Sequence, residues 1–196
     1  METWILPALL GVGLAAATGF RTFLPLLMLA LAAKFQLFGV ELAEAMTWLD
    51  STPAILALGM ATVVELAADK IPAVDHLLSA VGTVVRPIAG AVAAGAAFAQ
   101  FDPMVAAIAG LIIGAPTALA FHAAQAGNRV VSTTTTAGLG NPFVSLLEDL
   151  LAMFTALLAI VAPVLIPLLL AVVLFALWRL WSFVRRRRSP ATNPPG

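Results

Sequence analysis

Arg21 lies within the apolar run Leu14-Ala-Ala-Ala-Thr-Gly-Phe-Arg-Thr-Phe-Leu-Pro-Leu-Leu27, which has the composition of a bilayer-spanning helix. A cation at the centre of such a segment costs about 2.5–3.5 kcal/mol on insertion scales and more by other measures. It therefore needs compensation. The chain offers acids at similar depth: Glu65 in the second apolar run, and Glu148 with Asp149 in the fifth. Charges held in a membrane face a bundle interior or a water-filled cavity rather than lipid. The chemistry this implies is the movement of something polar across or along the bilayer.

The charges do not stand alone. Polar residues recur at helical spacing, which puts each set on one helix face: Thr18, Arg21 and Thr22; Thr62, Glu65 and Asp69; His122, Gln125 and Arg129; Ser145, Glu148 and Thr155, with Asp149 alongside. Measured from the span midpoints, Glu65 and Glu148 each fall roughly 6 Å toward the cytoplasm at 1.5 Å per residue. They are expected to share one layer, with Asp69 and Arg129 at its rim. One reading is a polar cavity serving as a coupling or substrate site. The other is an ion-pair network that only fixes helix register. His122 has no cysteine and few imidazoles around it, so no metal site and no cofactor is expected.

The segment Val130-Val-Ser-Thr-Thr-Thr-Thr-Ala-Gly-Leu-Gly-Asn-Pro142 reads as a polar loop. Asn141 is placed to cap the helix that follows, and the amides exposed there would suit an anion. An ordinary connector reads equally well from the same residues.

The elements that hold these residues follow from composition. Of 196 residues, 62% are hydrophobic and 10% charged, where a soluble domain carries about 25% charged residues. The chain reads as one all-α polytopic transmembrane helical bundle over residues 1–188, with a disordered cytoplasmic tail at 189–196. With about 20 apolar residues per crossing, the candidates are Ile5–Ala33, longer than one crossing needs and expected to tilt or to break at Gly19 with the help of Pro25, Thr52–Asp69, the short or re-entrant Pro87–Phe101, and Met104–Gly127. The last stretch, Phe143–Trp181, would reach roughly 58 Å as a single helix, so Pro163 and Pro167 are expected to divide it into a hairpin. A rival reading makes Pro142–Phe154 interfacial and leaves one kinked span. Phe35–Ser51 and Pro72–Arg86 read as amphipathic connecting segments. Six spans put Lys70, Arg86, Arg129, Arg179 and Arg185 to Arg188 inside, as the positive-inside rule prefers. Both termini are then cytoplasmic, in a bacterial inner membrane.

There are no cysteines, which excludes disulfides and thiolate chemistry. The basic tail reads as an anchor on anionic lipid rather than a nucleic-acid surface. Gly110-Leu-Ile-Ile-Gly114 and Gly90, Ala94 and Gly95 form small-residue faces for close helix packing, within the monomer or between protomers of a homo-oligomer. Leu14–Arg21 and His122–Arg129 share small residues and a Gly-x-Arg ending, the trace expected of an inverted 3+3 repeat.

Gly19-Phe-Arg-Thr-Phe-Leu-Pro-Leu-Leu27, Val64-Glu-Leu-Ala-Ala-Asp-Lys-Ile-Pro-Ala-Val-Asp75, Arg86-Pro-Ile-Ala-Gly90, Ser132-Thr-Thr-Thr-Thr-Ala-Gly-Leu-Gly-Asn-Pro142 and Ser145-Leu-Leu-Glu-Asp149 together make the chain resemble a bacterial membrane family catalogued as domain of unknown function 4126. The resemblance supplies no activity, but it implies that these motif residues belong to one shared site. Arg21, Glu65, Asp69, Lys70, Asp75, His122, Arg129, Asn141, Glu148 and Asp149 are the candidates. The functional expectation is a small transporter, flippase or channel-like protein acting on a solute, ion or lipid headgroup. Two alternatives stand beside it. One is an assembly subunit whose charges only specify packing. The other is a lipid-modifying enzyme with Glu65 and Asp69 as acid and base, although no Gly-x-Ser-x-Gly or His-Glu-x-x-His motif is present.

Overall fold

The computed structural model describes residues 4–68 and 72–188. Among these the regular structure is entirely helical. The helices are α1 (Ile5–Phe20), α2 (Leu24–Lys34), α3 (Thr52–Ala68), α4 (Pro72–Ala96), α5 (Pro103–Ala109), α6 (Ala115–Thr136), α7 (Asn141–Val161) and α8 (Ile166–Arg188). A π-helical turn, Gly110–Gly114, joins α5 to α6 without interruption. Short 3-10 turns at Leu37–Gly39 and Glu44–Asp50 fill the connection that read as amphipathic. Asp69 and Lys70 lie outside the described residues, as do the side chain of Asp75 and the tail at 189–196.

The surface is inverted relative to a water-soluble protein. Large apolar side chains such as Leu56, Val84, Ile112, Phe143 and Leu168 point outward, while the interior holds alanines, glycines and most of the polar stripes. This is the distribution of a protein solvated by lipid, where small residues let backbones approach and polar groups bond between helices. By length and composition Ser79–Ala96, Pro103–Thr136 and Asn141–Val161 suffice to cross a bilayer. Glu44–Asp50 with Thr52–Ala68, bent by 67°, is a further candidate.

The first apolar run is not a single helix. α1 stops at Phe20 and Arg21 is extended, at φ −136° and ψ 122°. Pro25 sits in the first turn of α2. Having no N–H, it cannot bond to the carbonyl four residues back, which belongs to Arg21, and its ring crowds that carbonyl. The two halves then return to the same end of the bundle. The ring of Trp4, just before α1, lies 4.2 Å from that of Phe101 and 6.0 Å from that of Phe98. At the far end of α2, Lys34 Nζ donates to the Asp50 carbonyl and to Thr52 Oγ1, each at 3.2 Å. Ala43 N donates to the Ala96 carbonyl at 3.0 Å. So α1 and α2 form a hairpin whose tip, residues 21–23, is driven into the bundle, in place of the single crossing expected over Ile5–Ala33.

Three more expectations change. Pro72–Arg86 and Pro87–Phe101 merge into the 25-residue α4, which carries Pro87 in its interior; at about 37 Å it is neither short nor re-entrant. The loop expected at 130–142 is mostly helix: α6 runs to Thr136, and the turn needs only residues 137–140, with Ala137 and Gly138 at φ 52° and 86°. The two segments compared as a repeat differ in path, since Gly19–Arg21 ends a helix while Gly127–Arg129 lies inside α6. The break at Pro163 does occur, between α7 and α8. Ala152 and Val173, on opposite sides of it, join one apolar cluster with Phe20 and Phe121, so α8 folds back along α7.

The two glycine faces meet each other inside the chain. A Cβ on Gly114 would collide with the Gly90 carbonyl, and one on Gly110 with the Ala91 carbonyl. Contact this close between α4 and the π turn is open only to glycine, and it fixes the crossing that brings α4 and α6 together over the site.

Candidate functional site

The hairpin tip organises the polar residues. Where α2 begins, the amides of Thr22 and Phe23 have no intrahelical acceptor. Glu65 of α3 supplies it: Thr22 N donates to Oε1 at 2.9 Å and Phe23 N to Oε2 at 3.2 Å. The carboxylate thus sits at the positive end of a helix. Where α1 ends, the carbonyls are orphaned instead. Arg86 of α4 meets them, its Nη1 donating to the Gly19 carbonyl at 2.7 Å. An acid at the start of one half-helix and a cation at the end of the other match the dipoles of both, and the two charges lie 3.9 Å apart (Arg86 Nη2 to Glu65 Oε1).

Arg86 is 6% exposed and passes the network on to α6. Its Nη1 also reaches Gln125 Oε1 in a short contact and donates to His122 Nδ1 at 2.8 Å. A guanidinium only donates, so His122 accepts on Nδ1 and carries its proton on Nε2, 3.3 Å from Thr83 Oγ1. Gln125 Nε2 donates onward to Glu148 Oε2 at 2.7 Å. Arg129 completes this branch, donating from Nη2 to Glu148 Oε2 at 2.6 Å and from Nε at 3.1 Å. Arg21, 1% exposed, turns to α7. Its Nε pairs with Asp149, and its Nη2 donates to Ser145 Oγ at 3.1 Å.

The structure therefore brings together Arg21, Glu65, His122, Arg129, Glu148 and Asp149. Asn141 is not with them. It is the first residue of α7 rather than its cap, which is Gly140. Its amide exchanges hydrogen bonds with Thr133 Oγ1 at the exposed turn. Sequence reading missed Arg86 by treating it as the last residue of an amphipathic connecting segment ahead of Pro87. The signal was its spacing: Gly82, Arg86 and Gly90 lie on one helical face. Gln125 stood in a polar stripe, yet its bridging role between Arg86 and Glu148 emerges only in three dimensions. Among the described residues no group of three or more His, Asp or Glu side chains converges as a metal site would need.

Against this network lies a cavity of about 370 Å³. Its polar lining comes from Arg21, Thr22, Glu65, Ser79, Arg86, Gln125 and Arg129, and its apolar walls include Phe23, Met60, Val64, Val81 and Val85. A few polar groups converging in an apolar pocket of this size is the usual form of a small-molecule site.

A family model described as Domain of unknown function (DUF4126) matches residues 8–183, so the chain belongs to that family. The match covers the hairpin, the network and the cavity. No curated protein and no solved structure matches the chain.

Proposed function

We propose that this member of the DUF4126 family is a small transporter, flippase or channel-like protein, with its substrate site at the tip of the α1–α2 hairpin. One observation carries the reading: a helix broken inside the bundle, both ends met by buried charges, beside a cavity of about 370 Å³. Transporters place solute and ion sites at such discontinuous helices, because an interrupted backbone within a membrane is tolerated where it lines a cavity or is buried in protein.

The hairpin also bears on the number of crossings. We read α1–α2 as re-entrant, entering from the Trp4 end. The full crossings are then α3, α4, α5 with α6, α7 and α8. With α1 along the bilayer normal, its 16 residues carry the tip about 24 Å inward, beyond the midpoint of a hydrocarbon core about 30 Å thick. Six crossings counted the hairpin as a pass. Without it, Arg129, Arg179 and the arginine tail still share one side and Lys34 lies on the other, as the positive-inside rule prefers. Arg86 leaves that tally because it is buried among helices. The arginine-tail side is cytoplasmic, in a bacterial inner membrane.

A second reading rests on the pairs Arg21–Asp149 and Arg129–Glu148, which would fix helix register in a purely structural subunit. Flux separates the two. Protein reconstituted in liposomes should pass ions, small polar solutes or labelled lipid headgroups above empty vesicles, and Glu65→Gln should abolish this while the protein stays folded and monodisperse. Equal flux in both proteins would remove Glu65 from any transport site.

A further inference from the structure

We infer that the cavity accepts the anionic oxygen head of an amphiphile, a lipid phosphate that enters sideways from the bilayer between α3 and α4. This rests on the transport reading of the same site and names its substrate class.

The sign of the ligand follows from which polar atoms remain open. Glu65 is the one acid among the described residues lining the cavity, and both its oxygens already accept backbone amides. Of the cations that face the cavity, Arg21 and Arg129 are already paired with Asp149 and Glu148, which leaves Arg86. Arg86 is nine-tenths buried, yet its Nε–H has no hydrogen-bond partner among the described residues. A donor left open in an apolar site is costly. An acceptor oxygen satisfies it, and charge-assisted donors of this kind suit phosphate. Helical side chains lean back over the preceding turn, so the Arg86 stem lies across Gly82. A Cβ built there would stand 3.2 Å from Nε. Gly82 lines the cavity too, and any side chain there would press on the buried donor.

The route follows from the walls. Met60 and Val64 of α3 and Val81 of α4 all line the cavity, yet they are 67%, 62% and 49% exposed. The cavity therefore reaches the exterior between these two helices, and the exterior of this chain is apolar. An inorganic anion arriving through water would have no use for that apolar opening. A lipid brings its headgroup through it and leaves its acyl chains in the bilayer. The volume suits a headgroup.

The test is equilibrium binding of radiolabelled short-chain phosphatidic acid to the full-length protein in neutral detergent. Unlabelled diacylglycerol and inorganic phosphate serve as competitors. The expected result is saturable binding that neither competitor displaces at equal concentration. Gly82→Leu, which crowds Nε from the cavity wall, should weaken it tenfold or more. Met60→Trp, at an exposed position where a larger ring does not burden the fold, should weaken it severalfold by narrowing the mouth. Gly59→Leu, on α3 with nothing within 4 Å, should leave it within twofold. Displacement by diacylglycerol would overturn the anionic head, displacement by inorganic phosphate would overturn the lipid, and full affinity in both Gly82→Leu and Met60→Trp would overturn the site. Binding without flux would sink only the transport reading. Flux without binding would sink only this inference.

Discussion

Arg21 is the residue that sequence alone made conspicuous, and its compensation is split. Its charge pairs with Asp149 on α7, while its backbone forms the break that Glu65 and Arg86 stabilise from α3 and α4. Arg21→Met takes the cation from Asp149, whose side chain is 19% exposed. Breaking a buried pair costs about 3–5 kcal/mol, and the partial exposure puts this one toward the lower value. The double variant Arg21→Met/Asp149→Leu should recover most of the loss, as read by thermal unfolding in detergent. A double variant no more stable than Arg21→Met would mean that the pair is not coupled. The acids and Arg21 were legible because an ionised group in an apolar run is costly anywhere in that run. Arg86 was not. The proline after it suggested a helix boundary, whereas packing between α1 and α6 carries α4 straight through Pro87.

At the level of elements, the hairpin and the α4–π-turn crossing set the site. The apolar runs were legible because 3.6-residue periodicity and hydropathy are local properties. That the first run folds back was not, since Trp4 meets Phe98 and Phe101 across more than 90 positions of chain. The glycine faces were legible as packing surfaces, and their partner proved to lie in the same chain. Gly114→Val drives a side chain into the Gly90 carbonyl and the Ala94 side chain. It should separate α4 from α6 and leave little folded protein on size exclusion. Gly127→Ala, inside α6 with nothing within 4 Å, should instead stabilise by up to about 1 kcal/mol through helix propensity. Tolerance of Gly114→Val would contradict the crossing on which the cavity depends.

For the whole molecule, the central claim is that water reaches a polar cavity at a re-entrant tip. The chain has no cysteine, so single thiols report cleanly. Gly39→Cys and Leu139→Cys, both at exposed turns, should react with a membrane-impermeant reagent from opposite sides. A reporter fused to the N-terminus should share the side of Gly39, where six crossings would place it with Leu139. The most direct measurement is the modification rate of Ser79→Cys, a near-isosteric change in the cavity lining, against Ile88→Cys on the outer face of the same helix, 59% exposed. A small charged thiol reagent should modify the Ser79→Cys protein at a rate close to that of the Leu139→Cys protein and leave the Ile88→Cys protein almost untouched. A thiol at position 79 as inert as the one at position 88 would mean a dry core at the tip, and the account would fail.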